Sequence, residues 1–359
     1  MQQVEPEVKA GASAGNSLNL MRHIRALWVW LLILSVLAAA LWAAFNSGGD
    51  PAATLRIFST RFLGIFIEAA PFLLMGTVVS GLLEVFVSKE DILRLTPRNP
   101  ILATIFGAFL GFAFPVCECG VVPVTRRLFT KGLPMSVGVA FLLAAPVVNP
   151  IVLVSTYIAF GWGTVLIARF VITIVVAIAI GVLFALTARP QDVLRPVTMS
   201  AVPLGAGGGV GFTAVPARST LSVRQRLYNG LRIGSDEFFD MGRFLVLGCL
   251  MAASMQTFIS QDVLLAIGEG PLVSVIVMQA LAFVLSVCST VDSFLALAFY
   301  GTFTGGSVVA FLTFGPMVDI KSAMMFLGIF KRRVVFYLIL LPFLMTMLIG
   351  LWMNLFVQF

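Results

Sequence analysis

Four short polar stretches interrupt the apolar chain, and each contains or adjoins residues that break or cap helices. The first is Phe114–Pro123, FPVCECGVVP, where Glu118 lies between Cys117 and Cys119 and is followed by Gly120 and Pro123. Proline (Pro115, Pro123) removes a backbone donor and glycine admits unusual backbone angles, so a turn is expected near Cys117–Pro123. A turn at membrane depth must be buried in protein or line a wet cavity, because lipid cannot satisfy its backbone groups. A carboxylate there costs at least about 2.5–3.5 kcal/mol on insertion scales, which favours a functional role for Glu118 over passive snorkelling. Two thiols one residue apart suit soft metals and trivalent metalloids. They do not close a zinc site, which usually takes four ligands, and cysteine is also a common small packing residue. Cys117 and Cys119 are therefore candidate metal ligands, with packing as the plainer reading.

The second stretch, CSTVDSF, supplies Cys288, Ser289, Thr290, Asp292 and Ser293. The third carries Pro146, Asn149 and Pro150, and the fourth carries Gly315, Pro316, Asp319 and Lys321. Asp319 and Lys321 are two residues apart, so they share no helical face unless the helix breaks there. Together these make up the candidate substrate or coupling set: Cys117, Glu118, Cys119, Gly120, Pro123, Asn149, Cys288, Ser289, Thr290, Asp292, Ser293, Asp319 and Lys321. Glu68 and Asp240 are candidate gating acids, with ion pairing to Arg61 or Arg243 as the simpler alternative. Glu84 reads as an acid snorkelling toward a basic loop.

The elements that must hold these residues follow from composition. Of 359 residues 60% are hydrophobic and 11% charged, against about 25% charged in a soluble domain. A mean hydropathy of +1.05 is more than a soluble fold of this length can bury. Lipid is the solvent, and soluble enzymes and nucleic-acid-binding domains are excluded. The net charge of +7 then reflects Lys and Arg on the cytoplasmic side of a bilayer. The one histidine, His23, lies in a polar N-terminal tail, so no Ser–His pair can form within the membrane and no catalytic residue is assigned. No cofactor is expected. A thiol-redox enzyme using Cys117, Cys119 and Cys288 stays open as an alternative, as does a passive channel or a membrane subunit of a larger complex.

Along the chain, residues 1–26 read as a cytoplasmic tail and 27–45 as an extra, uncleaved transmembrane helix. Residues 56–187 form a first membrane repeat, 188–234 a cytoplasmic Gly/Pro-rich linker, and 235–359 a second repeat. The repeat is visible by overlay. FIEAAPFLLMG (Phe66–Gly76) lies over FFDMGRFLVLG (Phe238–Gly248), Cys117 over Cys288, and AFLLAAPVVNP (Ala140–Pro150) over AFLTFGPMVDI (Ala310–Ile320). Equivalent loops exchange their basic character. Lys89, Arg94 and Arg98 face a counterpart without Lys or Arg, Arg126, Arg127 and Lys131 face the uncharged Gly301–Gly306, and Phe160–Gly163 faces Lys331-Arg332-Arg333. Under the positive-inside rule that exchange means inverted topology. The expected fold is an all-α polytopic membrane protein of two inverted repeats, each with a re-entrant broken-helix hairpin. The spans number seven full crossings plus two hairpins, with the N-terminus cytoplasmic and the C-terminus outside. Arg56, Arg61, Arg169, Arg243 and Lys321 stand outside this charge pattern.

The stretch FPVCECGVVPVTRRLFTKGLPMSVGVAFLLAAPVVNP resembles the predicted permease family that includes bacterial organoarsenical-efflux permeases. The likeness rests on Cys117, Cys119, Gly120 and Pro123, then Lys131-Gly132, then Pro146, Asn149 and Pro150. It extends to CSTVDSFLALAF and FGPMVDIK in the second half. The resemblance implies an inner-membrane permease working as a secondary transporter, with efflux of trivalent methyl- or aryl-arsenicals by some members. Its partners would be the lipid bilayer and a small-molecule or ion substrate, with homo-oligomer formation left open.

Overall fold

The computed structural model describes residues 51–114, 116–187, 193–194, 222–258 and 270–357. The tail, the extra helix at 27–45, Pro115 and most of the linker lie outside the described residues. The chain divides into two units, Met1–Ser59 and Thr60–Phe359. Of the first, only the opening turns of one helix are described, and the remaining helices belong to the second.

The described residues are nearly all helical. They form α1 (Pro51–Phe86), α2 (Lys89–Leu95), α3 (Pro100–Ala113), α4 (Glu118–Thr130), α5 (Met135–Ala144), α6 (Pro150–Phe160) and α7 (Thr164–Thr187). After the linker come α8 (Val223–Phe258), α9 (Pro271–Leu285), α10 (Asp292–Phe299), α11 (Gly305–Met317), α12 (Ile320–Ile329) and α13 (Arg332–Phe356). No strand occurs among them, only an isolated bridge between Leu194 and Phe330. Five helical stretches are long and apolar enough to cross a membrane: Ala52–Phe86, Thr164–Thr187, Val223–Thr257, Gly305–Ile329 and Arg332–Phe356. The chain is a multi-pass membrane protein.

The stretch carrying Pro146, Asn149 and Pro150 divides two helices, α5 and α6, because Pro150 opens a new helix there. Asn149 caps it by accepting a hydrogen bond from the Ile151 N–H at 2.9 Å. The same Asn-Pro device opens α3, where Asn99 accepts from the Ile101 N–H at 3.0 Å. The first turn lies earlier than expected: α3 ends at Ala113 and α4 begins at Glu118, so Gly120 and Pro123 sit inside α4. Finally, α8 starts at Val223, so residues 223–234 belong to a helix and not to the linker.

Short helices occur in pairs. At 1.5 Å per residue, α3 and α4 are each about 20 Å long, short of the roughly 30 Å hydrocarbon core. A long helix, a broken pair, a second broken pair and a long helix follow one another twice, as α1, α3/α4, α5/α6, α7 and as α8, α9/α10, α11/α12, α13. The packing recurs too. α5 lies against α3 and α7, and α11 lies against α9 and α13. Across the two series, α4 meets α12 and α8, α10 meets α6, and α7 meets α11 and α13.

Candidate functional site

The broken pairs bring the sequence-predicted acids to helix starts. Glu118 is the first residue of α4, Asp292 the first of α10, and Asp319 the N-cap of α12. Unpaired N–H groups and the positive end of the helix dipole make these places favourable for carboxylates. One oxygen of Asp319 accepts from the Ser322 N–H at 2.7 Å, and Ser322 Oγ accepts from the Asp319 N–H at 2.9 Å, closing a capping box.

Two of these acids converge on Lys321. Its ammonium lies 3.5 Å from Glu118 Oε1 and 3.6 Å from Asp319 Oδ2, and the lysine side chain is 1% exposed. The break before α12 is what lets Asp319 and Lys321 meet. The second oxygen of Glu118 and Oδ2 of Asp319 are buried without a hydrogen-bond partner. Two carboxylates face one ammonium, so the cluster is one positive charge short of neutral when all three are ionised. All four cysteines are free and buried. The Cys117 and Cys119 thiols adjoin, Cys288 is near Glu118, and Cys249 is near Lys321 and Asp319. Thr290 Oγ1 donates to Cys288 Sγ at 3.7 Å. Among the described residues no group of three or more His, Cys, Asp or Glu side chains is placed to hold a metal ion.

Close backbone approach makes this cluster compact. A Cβ on Gly76 would lie 2.5 Å from Gly120 Cα, and one on Gly248 would lie 2.8 Å from Lys321 Cα. These two glycines are matched in the sequence overlay, and each lets a half-helix start pack against a long helix.

Asp292 belongs to a second cluster that the sequence did not reveal. Arg169 on α7 donates to Asp292 Oδ2 at 2.8 Å, to Ser293 Oγ at 2.7 Å, to Thr156 Oγ1 at 2.8 Å and to the Ser289 carbonyl at 3.3 Å. Thr156 and Ser293 are themselves 3.1 Å apart, and all of these side chains are buried. The preceding turn is held by Ser286, whose φ of 50° is left-handed, a conformation that costs a non-glycine residue about 1–2 kcal/mol. The available signal for Arg169 was its charge within a 24-residue apolar helix. For Thr156 the sequence offered none.

A third cluster ties α4 to α1 and α8. Arg126 donates to Asp240 Oδ2 at 2.7 Å, and Asp240 also pairs with Arg243. Arg127 reaches Glu237 at 3.3 Å and Glu84 at 3.5 Å, while Lys131 reaches Glu84 at 3.3 Å. Ser80 donates to Glu237 Oε2 at 2.5 Å. Arg126 and Arg127 are thus buried on a helix, not spread in a loop, and Glu84 is ion-paired. Of the two candidate gating acids, Asp240 is in this cluster. Glu68 is half-buried on α1 within electrostatic range of Glu118 and Lys321. Arg61, its suggested partner, has a buried Nη1 without a hydrogen bond. Asn149 is engaged in capping, Gly120 and Pro123 serve the packing of α4, and Ser289 contributes its carbonyl to Arg169.

Residues 54–355 match a family described as a predicted permease. The chain belongs to this permease family. Over 280 residues it is 46% identical to the UPF0718 protein YcgR of Bacillus subtilis, covering 77% of this chain and 90% of that relative. Over 278 residues it is 38% identical to a Streptococcus mutans protein named as a putative two-component membrane permease complex subunit, covering 76% and 86%. A shorter match, 25% over 134 residues, joins it to the UPF0718 protein YraQ of Escherichia coli, with 37% and 38% covered. No solved structure matches the chain significantly. Membership covers both broken-pair series, so the buried charged clusters are features of a permease chain.

Proposed function

We propose that the chain is a secondary transporter that moves a small solute with a thiol-reactive centre, a trivalent metalloid or an organoarsenical, between two inverted repeats. The observation that carries this reading is the buried Glu118–Lys321–Asp319 cluster, assembled at helix starts from both halves. Charged groups at membrane depth are costly to keep and mark substrate or ion pathways. Broken helices meeting near the midplane are the usual setting for such a site. Cys117 and Cys119 beside it supply the soft ligands, and the unpartnered oxygens of Glu118 and Asp319 supply acceptors for a polar part of the solute. The recurrence of element order and the exchange of loop charge support inversion, with the N-terminus cytoplasmic and the C-terminus outside.

Flux into proteoliposomes across a panel of metalloids, sulfur compounds and cations tests this. Substrate-dependent flux that is lost in Cys117→Ser with Cys119→Ser is the expected result. No flux under any gradient would sink the transporter reading, and wild-type flux in the double variant would remove the thiols from the site. Inversion has its own test. A cysteine introduced at exposed Pro134 and another at exposed Thr302 should label from opposite faces of sealed vesicles. Labelling of both from one face would rule it out.

The second reading is a membrane subunit of a two-component complex, favoured by the name of the Streptococcus mutans relative. Flux by the purified chain alone separates the two.

A further inference from the structure

We propose that the Arg126–Asp240/Arg127–Glu237 cluster and the Arg169–Asp292 cluster are the two gates of the permease, one on each side of the Glu118–Lys321–Asp319 site, and that both are shut in this structure. The proposal rests on the permease reading above and assigns a role to residues that family membership leaves without one.

Position is the first argument. The α5–α6 pair runs antiparallel to α7. Near the start of α5, Ser136 and Ala140 lie against Gly181, where an added Cβ would be 2.8 Å from the Ser136 carbonyl. Near the end of α6, Thr156 lies 2.8 Å from Arg169. Arg169 and Gly181 are about 18 Å apart along α7. The Lys131 end and the Gly163 end of this assembly are therefore opposite ends. Arg126 and Arg127 lie in the last turns of α4, beside Lys131, whereas Arg169 lies in the second turn of α7, just after Gly163.

Connectivity is the second argument. Each cluster joins an element of the first series to one of the second. Arg126 and Arg127 hold α4 to α8 through Asp240 and Glu237, and Arg169 with Thr156 holds α7 and α6 to α10 through Asp292 and Ser293. The central site joins α4 to α12 between them. Separating the halves at either end must break the cluster there while the other still holds.

Energetics is the third. A buried ion pair gains Coulomb energy but gives up hydration of similar size. When a gate opens, water restores that hydration, so the shut and open forms stay close in free energy. An apolar seal would lack this balance, because opening would expose it to water with nothing in return.

The native thiols Cys117, Cys119 and Cys288 report which gate is open, because all three are buried beside the central site. The probe is a membrane-impermeant maleimide added to either face of sealed vesicles, read by peptide mass spectrometry. Asp240→Asn should raise labelling about tenfold from the Lys131 face only, a population shift of about 1.4 kcal/mol. Arg169→Lys keeps the charge beside Asp292 but cannot span Ser293 and Thr156 together. It should raise labelling by a similar factor from the Gly163 face only. If Arg169→Lys fails to elute as a monodisperse protein, Thr156→Val takes its place. Exchanging the charges in Arg126→Asp with Asp240→Arg should return labelling toward the wild-type rate. Equal rises from both faces, rises from one shared face, or no rise in monodisperse variants would overturn the gates. The readout needs no substrate, so it fails or succeeds separately from the flux experiment.

Discussion

Two acids open the second helix of a broken pair, Glu118 on α4 and Asp292 on α10, and each is met by a cation from the other series. The exchange is reciprocal but the chemistry is not. Asp292 is held by a planar guanidinium that also binds two hydroxyls and a carbonyl, at 2.7 to 3.3 Å. Glu118 meets a single ammonium at 3.5 Å that it shares with Asp319, and one of its oxygens has no partner. A rigid fork that matches several acceptors at once makes a clamp. A point charge at long range, between two incompletely satisfied carboxylates, makes a place where a ligand can improve the hydrogen bonding. On the proposed function, the same architectural position is a lock in one half and a binding site in the other.

The widest expected separation between the two comes from removing one charge at each. Asp292→Asn leaves Arg169 buried without its counter-ion, and breaking a buried pair in this way costs about 3–5 kcal/mol. Glu118→Gln keeps the shape but turns a cluster with one excess negative charge into a neutral Lys321–Asp319 pair. Its cost in stability should stay below about 1 kcal/mol. Unfolding of both variants in the same detergent, followed by tryptophan fluorescence, checks the contrast. Similar losses in the two would mean that the clusters are equivalent structural pairs, and the distinction between lock and site would fall. If the proposed site is correct, Glu118→Gln should nevertheless lose substrate flux in the proteoliposome assay, and unchanged flux would take Glu118 out of it.

The difference between the clusters also marks where sequence reasoning stops. Helix breaks are legible, since Pro150 after Asn149 and Asp319 three residues ahead of Ser322 are local signals with local causes. So are the acids, because Glu118, Asp292 and Asp319 are conspicuous in apolar surroundings. The matched glycines, Gly76 and Gly248, emerge from overlay alone. What cannot be read is partnership. Arg169 reaches Asp292 across more than a hundred residues, and Lys321 reaches Glu118 across two hundred, through the packing of α6 on α10 and of α4 on α12. Charge counting sets Arg169 and Lys321 aside as exceptions to the loop pattern. They are exceptions because each neutralises an acid at depth, which is a tertiary fact. The displaced first turn has a simpler cause. Gly120 falls in the first turn of α4, and the helix dipole with the free N–H groups draws Glu118 to its start, so the break settles before Gly120, while Pro123 lies in the second turn and removes one intrahelical donor.

The smallest effect lies inside the clamp itself. Thr156 Oγ1 accepts from Arg169 and also donates to the Val152 carbonyl at 2.8 Å, one turn back on its own helix. Thr156→Val is close to isosteric and removes only the hydroxyl. Arg169 keeps Asp292, Ser293 and the Ser289 carbonyl, so its charge stays neutralised, and what is lost is one partner of Arg169 Nη1 and the 3.1 Å contact to Ser293 Oγ. The expected loss is about 1 kcal/mol, the net value of a single hydrogen bond with some added cost for the stranded N–H. The same detergent unfolding measurement checks it. A loss as large as that of Asp292→Asn would show that the hydroxyls, not the ion pair, hold α10 to α7. The clamp would then be a cooperative polar network, and its contrast with the loosely paired Lys321 would lie in the number of its hydrogen bonds, not in the choice of arginine over lysine.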